Sequence, residues 1–69
     1  MSYKIEVELP RGEKSSNQQR FATEAEAKAA GDELLSRWMV PISSKPVATP
    51  LDLVNYRFNF EVGRSEMLP

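Results

Sequence analysis

From Ser2 to Leu9 the chain alternates strictly: Tyr3, Ile5, Val7 and Leu9 on one side, Ser2, Lys4, Glu6 and Glu8 on the other. A period of two with β-branched and aromatic members predicts a half-buried strand. Pro10 has no N–H to donate and predicts its end. Residues 10–17 read as a polar turn in which Gly12 can take a positive φ. A second, shorter strand is predicted over Gln18–Ala22, with Phe21 as its large apolar anchor.

The period then changes. Thr23-Glu24-Ala25-Glu26 is a capping-box sequence, in which the Thr23 hydroxyl accepts from the Glu26 N–H and the Glu26 carboxylate reaches back to the Thr23 N–H. Beyond it Ala27, Ala30, Gly31, Leu34, Leu35 and Trp38 fall on one helical face, with Lys28, Asp32, Glu33 and Arg37 outside it. Glu24–Lys28 and Glu33–Arg37 are expected as i,i+4 ion pairs. Gly31 sits mid-stripe, where its lack of a side chain predicts close approach of helix and sheet. Pro41 predicts the helix end, because it pushes residue 40 towards extended geometry.

Residues 42–53 contain Pro46 and Pro50. A short strand around Lys45–Thr49 would have to be an edge strand, given Pro46 inside it. Val54, Tyr56, Phe58, Phe60 and Val62 then alternate with Asn55, Arg57, Asn59 and Glu61, predicting a strand that Gly63 closes. The order β-β-α-(β)-β predicts an α+β fold, two layers with one helix on one face of an antiparallel sheet of three to four strands. The expected core is Tyr3, Ile5, Val7, Leu9, Phe21, Leu34, Trp38, Tyr56, Phe58 and Phe60. Residues 1–63 form the expected single domain, and residues 64–69 a flexible C-terminal tail.

Composition narrows the chemistry. The 69 residues include no His and no Cys. That removes His-based proton relays, Cys nucleophiles and Cys/His zinc sites. Glu6 and Glu8 lie about 7 Å apart on a strand, a carboxylate spacing used in glycoside hydrolysis. They sit on the polar face, and a chain this short offers no pocket to raise one pKa. The expectation is therefore a non-enzymatic protein with no cofactor and no metal. The start of the chain lacks the basic and apolar regions of an export signal. No apolar run approaches the length of a membrane span. A cytoplasmic protein without membrane contact is expected, as a monomer or weak homodimer, since pairing would supplement a small core.

Net charge is −1, which argues against a duplex-wide phosphate binder. Its distribution is uneven: the 10–20 loop is slightly basic and the helix acidic. Tyr56, Phe58 and Phe60 could stack bases if exposed, but their face belongs under the helix. The polar sheet face should display Lys4, Glu6 and Glu8 together with Asn55, Arg57, Asn59 and Glu61. The last four are the candidate contacts for a protein partner, with a sheet edge and the acidic helix face as further candidate surfaces. The alternative is a nucleic-acid accessory protein that contacts phosphates through Arg11, Lys14 and Arg20.

The stretch Phe21-Ala22-Thr23-Glu24-Ala25-Glu26-Ala27, the Arg37-Trp38 pair and Val54-Asn55-Tyr56-Arg57 resemble a group of small uncharacterised bacterial and phage proteins. In these an F-x-T-x-x-E-A phrase opens a helix and a V-N-Y-R-like strand follows later. The resemblance spans roughly residues 20–57. It implies a fold and a bacterial or phage setting, and carries over no functional residues. A looser similarity links the helix start to the arm-binding domains of phage-type integrases. Those domains end with their helix, whereas a strong strand pattern follows it here.

Overall fold

β1 spans Ser2–Glu8 and pairs along its whole length with β3, Ser43–Thr49, in antiparallel register. Its other edge pairs with β2, Lys14–Ser16. The computed structural model describes residues 1–37 and 41–69. Trp38, assigned to the core from sequence, and residue 40, whose geometry Pro41 was expected to bias, lie outside the described residues. Helix α1 runs over Glu24–Arg37, and β4, Tyr56–Asn59, pairs with β5, Arg64–Met67. One helix against a small antiparallel sheet is the expected α+β architecture. The strands, however, fall into two sheets, β2-β1-β3 and β4-β5, where the sequence predicts one.

The second strand lies earlier than expected. Leu9 donates its N–H to the Glu13 carbonyl at 2.8 Å, and Gly12 donates to the Leu9 carbonyl at 2.9 Å with φ +85°. This is a three-residue hairpin loop with Gly in the left-handed position, so β2 follows the turn at once. Residues 18–22 supply only Phe21, which exchanges two backbone hydrogen bonds with Tyr3, both 2.8 Å. β2 carries no apolar residue and all its positions are exposed. Its pairing is set by the turn and leaves no hydrophobic pattern to read.

β3 confirms the expected edge strand and extends it to seven residues. Tyr3 directs its backbone groups towards Phe21. Tyr3, Ile5 and Val7 therefore form the widely spaced pairs with β3, opposite Ala48, Pro46 and Ser44. Pro46 turns its missing donor outward and costs the ladder nothing.

α1 packs over β3 and β1. The Thr23 hydroxyl accepts the Glu26 N–H at 3.1 Å, as the capping box requires. The Glu26 carboxylate goes elsewhere: Oε2 accepts from the Thr23 hydroxyl at 3.2 Å, and Oε1 accepts the Phe58 N–H at 3.3 Å. Half of the box thus joins the helix start to β4. The Glu33–Arg37 pair forms at 2.7 Å, while Lys28 takes Asp32 at 3.2 Å and not the expected Glu24. Ala27, Ala30 and Gly31 are the buried helix positions.

Among the described residues the core is Ile5, Val7, Phe21, Ala27, Ala30 and Phe58, with Tyr3, Leu9, Ala29, Leu34 and Tyr56 against it. Phe21 is fully buried, its ring 6.2 Å from that of Tyr56. Phe60 departs from the expected core, at 64% exposed. The long predicted strand ends at Asn59, and residues 60–63 turn. Arg64–Met67, expected as a flexible tail, is β5.

Gly31 yields the prediction of this section. A Cβ there would lie 2.7 Å from the Ser44 Oγ and 3.3 Å from the Ile5 Cγ2. Gly31→Leu should destabilise by about 1–3 kcal/mol through overpacking, measured by chemical denaturation. Gly31→Ala should lose stability in the native background and lose less, or gain, in Ser44→Ala, since the helix itself prefers Ala by about 1 kcal/mol. Equal effects in both backgrounds would show that Ser44 is not the obstacle.

Candidate interaction surface

The residues 60–63 turn owes its shape to its two flanks. Asn59 Oδ1 accepts the Glu61 N–H at 3.0 Å and the Val62 N–H at 3.4 Å, and the Asn59 carbonyl accepts the Gly63 N–H at 2.8 Å. Gly63 adopts φ +70°, which an L side chain would resist. Phe60 and Val62 are thereby held at the tip of the β4-β5 hairpin, 64% and 61% exposed. The Phe58 and Phe60 rings meet edge to face at 5.0 Å, so the exposed ring leans on a buried one. A second apolar exposure, Leu51 and Leu53, lies in the connection between β3 and β4.

Three of the four residues expected to contact a protein lie on this hairpin. Arg57 is exposed and donates from Nε to Glu66 Oε1 at 2.9 Å, with Nη2 at 2.8 Å. Asn59 Nδ2 donates to Glu66 Oε2 at 3.3 Å. Glu61 stands exposed on the turn. The Asn59 hydrogen bond, followed by that from Arg57, holds the Glu66 carboxyl below its ordinary pKa, with Arg57 and Arg64 adding favourable charge. Lys4, Glu6 and Glu8, expected on the same face, belong to the other sheet. There Glu6 faces Lys45 at 3.7 Å.

Asn55, the fourth, does a different job. Its Oδ1 accepts the Arg20 N–H at 2.7 Å and its Nδ2 donates to the Gln18 carbonyl at 2.9 Å. The Arg20 carbonyl in turn accepts the N–H groups of Asn55 and Tyr56 at 3.0 and 3.1 Å. The Arg20 guanidinium donates to Asp52 at 2.8 Å and to the Asn17 carbonyl at 2.6 Å. A partner-contact candidate and a phosphate-contact candidate therefore hold each other, in a clamp between the 17–20 segment and the start of β4.

The basic trio is accordingly divided. Arg11 and Lys14 are exposed on the β1-β2 hairpin. Lys14 lies opposite Glu8, whereas Phe21 lies opposite Tyr3, five residues along β1. Arg20 thus sits at the other end of the strand, about 17 Å away at about 3.4 Å per residue. Among the described residues no group of acidic side chains is arranged to hold a metal ion, and no helix is long and apolar enough to cross a membrane. Sequence reasoning missed Phe60 and Val62 as surface residues. The signal was Asn59 followed four residues on by Gly63, a pair that marks a turn.

Two predictions test these arrangements. Asn55→Ala unpairs the Arg20 N–H and should cost about 1–2 kcal/mol, with faster hydrogen exchange at the Arg20 amide. Glu66→Gln should be less stable than the native chain at neutral pH. Because the folded pKa of Glu66 is depressed, the native advantage is present above the unfolded carboxyl pKa and fades as pH falls through the folded one. Stability curves of the two proteins should converge in acid; a pH-independent gap would show that the charge of Glu66 is irrelevant.

Comparison with protein-family models, curated proteins and solved structures returned no match, so the functional reading rests on the geometry above.

Proposed function

We propose that this chain is a non-catalytic protein-binding module, with the β4-β5 hairpin tip as its contact. The observation that carries the reading is Phe60, a 64% exposed aromatic on a turn pinned by Asn59 and Gly63. Aromatic side chains are preferred anchors of protein interfaces. A turn already fixed by its own hydrogen bonds loses little freedom on binding. Val62 extends the apolar centre, and Arg57 and Glu61 supply charges of both signs at its margin. The complementary partner is a protein with an apolar pocket bordered by polar groups. The resemblance noted above makes a bacterial or phage cytoplasm the place to look for it.

The nucleic-acid alternative loses Arg20 to the Asp52 clamp, leaving Arg11 and Lys14 beside Glu13. Capture from the native host with the wild-type chain, Phe60→Asp and Lys14→Gln separates the readings. The expected result is a protein retained by wild type and Lys14→Gln and weakened at least about tenfold by Phe60→Asp. Phe60→Asp should stay folded and melt only modestly below wild type, since it loses an edge-to-face contact with Phe58 worth about 0.5–1.5 kcal/mol but no core side chain. A protein held equally by Phe60→Asp would overturn the assignment to the tip. Nucleic acid retarded at about 50 mM salt and released by Lys14→Gln would favour the alternative.

A further inference from the structure

The β4-β5 ribbon has one edge taken and one edge free. Tyr56 lies opposite Met67 and Phe58 opposite Ser65, and the Leu68 N–H donates to the Asn55 carbonyl at 3.0 Å. This phase turns the backbone groups of Arg64 and Glu66 towards β4 and those of Ser65 and Met67 away from it. On the outer edge of β4, the Tyr56 N–H reaches the Arg20 carbonyl at 3.1 Å and the Phe58 N–H reaches Glu26 at 3.3 Å. The outer edge of β5 has no neighbouring strand. Among the described residues the Ser65 and Met67 N–H groups find no acceptor, and Arg64 and Ser65 border open space. Unlike β3, this strand carries no proline to block a further ladder.

The side chains of β5 select its complement. With a second copy of β5 laid antiparallel and Ser65 opposite Ser65, Arg64 of each copy faces Glu66 of the other. Opposite charges across strands stabilise a pairing and like charges oppose it. The register that sets Ser65 against Met67 fails on this ground, because it sets Glu66 against Glu66. In the favoured register Glu66 stands between Arg57 of its own chain, 2.8 Å away, and Arg64 of the second copy. Met67, 73% exposed, falls opposite Gly63, where nothing lies within 4 Å of the missing side chain. We propose that the chain forms a weak two-fold dimer through β5, joining two ribbons into one four-stranded antiparallel sheet. The contact uses the β5 backbone and its Arg64–Glu66 charges, so it does not depend on the reading of the hairpin tip.

Sedimentation equilibrium across a concentration series tests the dimer, which should form with a Kd no weaker than about 1 mM. Amide exchange at Ser65 should slow as the chain is concentrated, while the Glu66 amide, already bonded to β4, keeps its rate. Ser65→Pro removes a donor that the ribbon itself does not use, so the variant should fold and dimerise at least about tenfold more weakly. Arg64→Glu, on an exposed side chain, sets like charges across the two-fold axis and should weaken the dimer to a similar degree. Arg11→Gln should dimerise as wild type does. A chain that stays monomeric to about 1 mM, a dimer that Ser65→Pro and Arg64→Glu leave intact, unchanged exchange at Ser65, or a dimer abolished by Phe60→Asp would each overturn the proposal.

Discussion

The structure turns on two consecutive residues used from both sides. Phe21 exchanges two backbone hydrogen bonds with Tyr3 of the main sheet, while the Arg20 carbonyl accepts two N–H groups from the start of β4. A single extended step of chain therefore stands between the sheets and is bonded to each. The Phe21 side chain is fully buried beside Tyr56. The same step joins the layers by packing as well as by backbone. Without it, β4 and β5 would be tied to the rest only through Phe58 and the Glu26 carboxylate, and a two-stranded ribbon on its own is marginal in water.

The surrounding polar groups serve that joint. Asn55 satisfies the Arg20 N–H and the Gln18 carbonyl together, and Asp52 fixes the Arg20 guanidinium. Glu26 supplies a second joint, from the helix start to the Phe58 N–H. Two polar connections thus support a core in which six apolar residues are buried among those described. Such a small core rarely provides much surplus stability, so unpairing a backbone group at either joint removes a substantial share of it.

What the sequence disclosed follows where side chains carry a pattern. β1, α1, the Pro46 edge strand and the close approach at Gly31 were all legible, because burial imposes a period or a size on those residues. β2 was not, since Lys14-Ser15-Ser16 pairs by backbone alone and its register comes from Pro10-Arg11-Gly12. The strand read through Val62 failed for the opposite reason. Its alternation continues into Phe60 and Val62, but the Asn59 side chain captures the next backbone donors and bends the chain. Of the candidate contacts, Arg57 and Glu61 are exposed as expected, although Glu61 lies on the turn and not on the strand. The roles of Asn55 and Arg20 required knowing that residues 35 apart in sequence meet.

The edges of the main sheet bear on how such a molecule could meet a partner. Strand addition to β3 would need outward donors from Ser44, Pro46 and Ala48, and the central one has none. β2 offers only three residues. Backbone pairing along these edges is therefore a poor route, and a partner of the kind proposed would be met by side chains. The fold accounts for only part of the aromatic at residue 60: its ring covers part of Phe58 edge to face yet stays mostly in water. A polar residue there would leave the Asn59 and Gly63 turn intact. The protein-binding reading proposed above assigns the covering of the exposed Phe60 face to a partner.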